Sequence, residues 1–279
     1  MIAVAARESD RHSVLQANYH SAMVNNDADL VSVSDIRAVA RVAHICALFG
    51  PAVQELSAAD VAERTGLNRT TAYRYCASMV AAGILEKGSR RGTFALGGMM
   101  LELGLQALGR ERVLEIAGPY LRTLSTAVDM TVVLSVPGAH GPVVALVAEE
   151  LSQAVLVTVR VGTKLDVTAA QSHVFLAYES ESSMDLMASG LSPAERARLE
   201  LDVAAVRKNG YAVSRPSGLP LAAAAPVFDD KGLRATIAFL GVRDVDDDLV
   251  PALDELMATA AALSEALGAS PQDPSRADV

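Results

Sequence analysis

The fold is decided by residues 55–98, which read ELSAADVAERTGLNRTTAYRYCASMVAAGILEKGSRRGTFALGG. Ser57 can cap a short helix with its hydroxyl, and Gly66 allows the positive φ of the tight turn that ends it. Asn68 then caps a second helix. Its apolar residues recur at helical spacing and predict one buried stripe: Ala72, Tyr75, Cys76, Met79 and Val80. The order predicts a helix-turn-helix.

Two strands, at residues 84–87 and 93–96, follow at once and predict a wing whose turn carries two arginines. In a helix-turn-helix the first turns of the second helix enter the major groove, and a basic turn suits phosphates or the minor groove. The candidate DNA-binding residues are Ser57, Asn68, Arg69, Thr70, Thr71, Tyr73, Arg74, Arg90 and Arg91. Use of the same motif for packing or protein contacts stays open.

Composition favours two domains and one local basic patch. A chain of 279 residues fits the usual prior of ~150 residues per domain, and the absence of tryptophan requires aliphatic cores. The net charge is -9, yet between residues 60 and 93 six basic side chains outnumber three acidic ones. An acidic chain with one basic patch is typical of a protein that reads double-stranded DNA with a single face, because the remainder repels the duplex.

Cysteine usage and hydropathy predict no metal, cofactor or membrane partner. Cys46 and Cys76 each lie in an apolar helical stripe, which favours buried thiols over a disulfide. No His/Cys group has the spacing of a metal site. No apolar run is long enough to span a bilayer, and the N-terminus lacks the basic residues of a signal peptide. We therefore expect a cytoplasmic protein.

The chain is predicted to have five segments. These are a flexible arm (1–30), a winged helix-turn-helix domain (31–96) that opens with a helix over 34–49, a linker helix (97–110), an α+β domain (111–268) and a flexible tail (269–279). Met23 is an alternative start. Residues 97–108 are apolar nearly all round, which indicates a helix that needs a partner. That partner is either a second copy of the chain or the core of the same chain.

The second domain is predicted to hold one mainly antiparallel sheet flanked by helices. A helix over 111–128, interrupted or kinked at Pro119, precedes it. The predicted strands cover residues 130–136, 142–148, 154–160, 210–214, 221–228 and 233–242. The predicted helices cover residues 170–178, 184–188, 193–209 and 249–267. Such a sheet leaves a cavity on one face where a small ligand can bind.

Three blocks of residues resemble the IclR family of bacterial transcription regulators. They are GLNRTTAYR at 66–74 with GIL at 83–85, FALG at 94–97, and AAPVFD at 224–229 before a glycine turn. Their order and spacing cover roughly residues 33–267. The resemblance implies a GAF-like effector-binding second domain, homodimers that often pair into tetramers, and operator binding that changes when a small organic metabolite, frequently an acid, is bound. Members act as repressors or activators of nearby operons, and we expect a repressor here.

One stretch departs from the family pattern at the mouth of the effector pocket. Members commonly carry Ala-Ser-Gly-Lys-Ala, whereas this chain has Ala170-Gln171-Ser172-His173-Val174. The serine adds a side chain beside helix N-terminal amides, and the histidine replaces a fixed charge by a titrating one. The candidate effector-binding residues are Leu134, Val147, Val167, Thr168, Ala169, Gln171, Ser172, Phe175, Ala224, Ile237 and Phe239. Any single one is also explained as core, whereas the group at 168–172 favours ligand contact.

Two rival functions remain open on sequence alone. An enzyme fused to a DNA-binding module would have to use His140, His173, Glu149, Glu150 or Asp166, but no nucleophile elbow, HExxH motif or phosphate loop accompanies them. An architectural DNA binder with a vestigial sensor domain is compatible with the departure at residues 171–173. We therefore expect no catalytic residues and a ligand-responsive regulator.

Overall fold

The computed structural model describes residues 36–149, 159–215, 221–241 and 249–269. The chain divides into two compact units, Met1–Arg110 and Glu111–Val279. The predicted arm and tail lie almost entirely outside the described residues.

The first unit is a winged helix-turn-helix, as predicted. Its elements are α1 (Arg37–Cys46), β1 (Leu56–Ser57), α2 (Ala58–Thr65), α3 (Arg69–Ala81), β2 (Leu85–Lys87), β3 (Thr93–Leu96) and α4 (Gly98–Leu108). The three strands form an antiparallel sheet in the order β1-β3-β2. Strand β1 was not predicted from the sequence, because a two-residue strand is defined by its partners in β3 and has no local signal of its own.

The core of the first unit is small and aliphatic. Buried side chains from α1, α2, α3 and all three strands meet there: Ile45, Leu48, Leu56, Val61, Ala62, Ala72, Cys76, Met79, Leu85 and Phe94. Both cysteines are free, and Cys76 is buried while Cys46 is partly buried. Desolvation raises the pKa of both thiols. The predicted buried stripe of the second helix is therefore confirmed at three residues, Ala72, Cys76 and Met79.

The second unit is an α+β domain, as predicted. Its elements are α5 (Arg112–Val128), β4 (Thr131–Gly138), β5 (Gly141–Ala148), α6 (Ala170–Ala177), α7 (Glu181–Met187), α8 (Pro193–Asn209), β6 (Ala212–Ser214), β7 (Leu221–Phe228), β8 (Leu233–Gly241) and α9 (Val250–Ala266). The five strands form a fully antiparallel sheet in the order β5-β4-β8-β7-β6. Helix α5 continues through Pro119.

The bounds of one predicted helix of the second unit differ in the structure. Helix α7 begins three residues earlier than expected. Most of the strand predicted at 154–160 falls outside the described residues, and Val159 and Arg160 have no regular structure.

Both faces of the five-stranded sheet are covered. On one face, α5 and α9 pack against residues such as Val132, Ile237 and Phe239. On the other face, α6 and α8 pack against Val133 and Ala238. Because side chains alternate along a strand, neighbouring residues of β4 and β8 belong to different cores.

Candidate DNA-binding surface and effector domain

The turn between α2 and α3 is fixed by capping. The Ser57 hydroxyl accepts from the backbone N–H of Asp60 at 3.2 Å and donates to the Asp60 carboxylate at 2.7 Å, and that carboxylate also accepts from the Ser57 N–H. Gly66 ends α2 with φ +69°. Asn68 Oδ1 then accepts from Thr71 N at 2.8 Å. The predicted caps are confirmed, and they commit the Ser57 hydroxyl and Asn68 Oδ1 to the protein backbone and Asp60.

The outer face of α3 carries the predicted DNA-binding side chains. Arg69, Thr70, Tyr73 and Arg74 are exposed, whereas Thr71 is partly buried. Neither Arg69 nor Arg74 forms an ion pair with a described residue, so both guanidinium groups keep their hydrogen-bond donors available. Asp60 has its pKa lowered, mainly by hydrogen bonds from Ser57.

Helix α3 and the wing contact each other through aromatic rings. The rings of Tyr73 and Phe94 lie 6.4 Å apart in an edge-on arrangement. Tyr73 is nevertheless 59% exposed, while Phe94 of β3 is buried in the core. Edge-to-face packing restricts the tyrosine ring and leaves its hydroxyl end available to a partner.

The wing turn is held by Glu55, a residue that the sequence did not single out. The Glu55 carboxylate accepts from the Ser89 N–H and hydroxyl and from the Thr93 hydroxyl. These bonds, led by the one from the Ser89 hydroxyl, lower the pKa of Glu55 to about 2. The carboxylate also pairs with Arg90 at 3.4 Å. Arg90 and Arg91 are both exposed, and Arg91 forms no ion pair with a described residue. No local pattern reveals this contact, since Glu55 and Ser89 lie far apart in sequence.

The predicted effector-binding residues fall on two faces of the sheet. Leu134, Ile237 and Phe239 belong to the core beneath α5 and α9 and are fully buried there. Ala224 and Phe175, with the partly buried Val147 and Val167, belong to the core beneath α6 and α8. The prediction that all eleven residues line one pocket is therefore wrong for the first three, because the sheet separates them from α6.

The start of α6 is a buried polar region. Gln171 Nε2 donates to the carbonyl of Thr236 at 2.9 Å and to its hydroxyl at 3.2 Å. The Ser172 hydroxyl donates to the Asp166 carbonyl at 2.7 Å, so it faces its own loop. Ala169 offers no side chain to cap the first amides of α6, and Thr168, whose hydroxyl donates to Asp166 Oδ1, is exposed.

On the face of the sheet that α6 covers, two hydroxyls have no hydrogen-bond partner among the described residues. They are Thr131 Oγ1 and Ser135 Oγ, both on β4 and both almost completely buried. Ser135 pairs across the sheet with Thr236, the residue that Gln171 contacts. A buried hydroxyl without a partner costs free energy.

His173 lies in α6 and is only 7% exposed. Burial is the largest effect on the pKa of His173 and lowers it, and the positive charge of Arg198 lowers it further. The negative charges of Asp202 and Asp166 and a hydrogen bond with the Val167 backbone raise the pKa by less. The side chain is therefore neutral at pH 7. This position does not supply the fixed positive charge that a lysine would.

Within the described ranges, no helix has the length and apolarity needed to cross a membrane. The same ranges contain no group of three or more His, Cys, Asp or Glu side chains arranged to hold a metal ion.

Comparison with known families assigns both units. Residues 38–89 match the IclR helix-turn-helix domain, and residues 105–265 match the bacterial transcriptional regulator IclR C-terminal domain. The HTH-type transcriptional regulator XynR of Escherichia coli K12 is 25% identical over 248 residues, which cover 84% of this chain and 98% of XynR.

Solved structures show the same fold. An IclR transcriptional regulator from Alicyclobacillus acidocaldarius is 25% identical, with a TM-score of 0.65, covering 84% of this chain and 100% of that one. An IclR homologue from Microbacterium hydrocarbonoxydans, complexed with 4-hydroxybenzoate, is 21% identical, with a TM-score of 0.65, covering 82% of this chain and 98% of that one. The two family matches together span most of the described chain, and this protein therefore belongs to the IclR family of DNA-binding transcriptional regulators.

Proposed function

We propose that the chain binds a specific operator through α3 and the wing, and that a small organic metabolite in the second unit changes its affinity for that operator. The proposal of operator binding rests on one observation: α3 has a buried face and an exposed face whose guanidinium groups form no ion pair with a described residue. Arg69 and Arg74 contact guanine edges or phosphates, and Thr70 and Tyr73 lie against the DNA backbone or a thymine methyl. Thr71 and Asn68 set the first turn of the helix.

The wing carries Arg90 and Arg91; Arg91 forms no ion pair with a described residue and contacts a phosphate, whereas Arg90 pairs with Glu55. Phosphate contacts of this kind fix orientation without reading sequence. A second winged domain from a partner copy would contact the next half-site of a pseudo-palindromic operator.

Homodimer formation is supported by the exposed apolar surface of the first unit. No residue of α4 is buried, and its leucines at 101, 103, 105 and 108 are between 48% and 65% exposed. Ile36 and Val39, at the start of α1, are also more than half exposed. Contiguous exposed apolar side chains mark interaction sites. We propose a homodimer through α4 and α1, with pairing of dimers as a further step.

The effector site is proposed on the face of the sheet that α6 covers. The unpartnered hydroxyls of Ser135 and Thr131, the uncapped start of α6 and the amide of Gln171 together offer donors and an acceptor to a small ligand. A protein of the same fold is known in complex with 4-hydroxybenzoate, which supports a small organic acid as the first class to test. We propose repression, with release from the operator on ligand binding, which requires that the ligand bind the two arrangements unequally.

The test of DNA binding uses duplexes selected from a random pool with the full-length protein. Arg74→Ala should weaken binding to the selected duplex by about 1–3 kcal/mol in a gel-shift titration. Arg122→Ala, an exposed arginine on α5 of the second unit, is the matched control and should leave binding unaltered. Equal affinities for the wild type and Arg74→Ala would remove α3 from the interface.

The test of effector binding is a thermal-shift titration with 4-hydroxybenzoate and a panel of small organic acids. A ligand at about 100 times its dissociation constant stabilises the native protein by roughly 2.7 kcal/mol and should raise the unfolding temperature. The same ligand must then change operator affinity in the gel shift. A ligand that stabilises the protein without that change would bind but not regulate.

A further inference from the structure

Glu55 is placed where it can organise the turn between β2 and β3. It directly precedes β1, whose Leu56 is buried in the core and pairs with Phe94 of β3. Its backbone is therefore anchored beside the core of the domain. From there Oε1 accepts from Ser89 N at 2.8 Å and from Ser89 Oγ at 2.5 Å, and Oε2 accepts from Thr93 Oγ1 at 2.7 Å.

Gly88 leaves room for this carboxylate. A Cβ at residue 88 would lie 2.8 Å from Glu55 Oε2 and closer still to Thr93 Oγ1. The Gly88 N–H meanwhile donates to the Thr93 carbonyl at 2.9 Å and closes the turn. A side chain at residue 88 would thus displace the carboxylate without changing any charge.

The two wing arginines have different surroundings. Arg90 Nε lies 3.4 Å from Glu55 Oε2, and the Arg90 N–H points to the same oxygen at 3.4 Å. Arg91 is exposed and forms no ion pair with a described residue. A DNA phosphate would have to compete with Glu55 for Arg90, whereas it could bind Arg91 without displacing another group.

We propose that Glu55 is a positioning residue for DNA recognition: it fixes the wing turn so that Arg91 contacts the duplex, while Arg90 neutralises Glu55. The inference rests on the proposed contact between the wing and DNA. A carboxylate near a DNA surface repels phosphates, so a glutamate without this role would weaken binding. The sign of its effect on affinity therefore decides between the two roles.

The charge test compares Glu55→Gln with Glu86→Gln. Both remove one negative charge from the first unit, but Glu86 is exposed on β2 and forms no ion pair or side-chain hydrogen bond with a described residue. With the duplex selected by the wild-type protein, Glu55→Gln should weaken binding by at least about threefold, whereas Glu86→Gln should leave it equal or tighter. Gly88→Ala keeps all charges and should weaken binding as Glu55→Gln does.

The salt test separates the two arginines with Arg90→Ala and Arg91→Ala, two substitutions on an exposed turn. Fluorescence anisotropy over a range of salt gives the slope of log affinity against log salt. Arg91→Ala should lower the slope by about one, and Arg90→Ala by less than half as much. In a Glu55→Gln background, Arg91→Ala should cost less than in the wild type, which general destabilisation would not produce.

Each outcome bears on the inference. Glu55→Gln binding as tightly as Glu86→Gln, or equal slopes for Arg90→Ala and Arg91→Ala, would overturn it while leaving the proposed function intact. If the wild type enriches no duplex from the pool, the proposed function and this inference fail together.

Discussion

Replacing Ser135 by alanine should stabilise the second unit, although the residue is buried. Its Oγ has no hydrogen-bond partner among the described residues, and the side chain is 1% exposed. Burying a hydroxyl without a partner costs roughly 1–3 kcal/mol by mutational measures. Ser135→Ala removes that cost and loses only one oxygen of packing, so we expect a gain of about 1 kcal/mol.

The assay is calorimetric unfolding of the full-length protein without ligand. A gain of about 1 kcal/mol corresponds to an increase of roughly 2–4 °C in the midpoint of a unit of this size. Ser125→Ala is the matched control, because Ser125 is equally buried but donates to the Met130 carbonyl at 2.7 Å. In Ser125→Ala the free energy of unfolding should fall by about 1 kcal/mol. A lower midpoint for Ser135→Ala as well would show that Ser135 is hydrogen-bonded and refute the reasoning.

Three further predictions follow from other positions. Gly66→Ala should destabilise the first unit by about 1–2 kcal/mol in denaturant titrations because of its φ of +69°, whereas Gly98→Ala, with open space at its Cβ, should not. Burial lowers the pKa of His173 in the folded protein. As the pH falls through about 6.5, the histidine is therefore protonated in the unfolded state before it is protonated in the folded state. Stability should therefore fall as pH drops below about 6.5, and His173→Gln should flatten that decline in unfolding curves from pH 8 to 5. Leu105→Glu, on the exposed face of α4, should shift the protein towards monomers in sedimentation velocity; an unchanged dimer would place the interface elsewhere.

The helices, their caps and the recognition surface could be predicted from the sequence because their signals are local. Ser57, Gly66 and Asn68 each act on backbone groups within three residues, and the buried face of α3 follows from helical spacing. The hairpin of β7 and β8 follows likewise from its Asp-Asp-Lys-Gly turn.

The composition of the effector site could not be predicted in the same way. Both sets of alternating side chains on β4 and β8 are buried, so the alternation separates the two sets but does not say which one faces α6. Leu134 and Ile237 were therefore grouped with Gln171, whereas the structure places Ser135 and Thr236 on that side.

The sequence by itself determined a winged helix-turn-helix followed by an α+β domain, since capping residues, turn glycines and apolar periods act over a few residues. Only the tertiary structure decided which face each strand residue occupies and that Glu55 lies beneath the wing turn. Both depend on strand pairing between distant segments, and a shift of one residue in register would send every side chain of a strand to the opposite face.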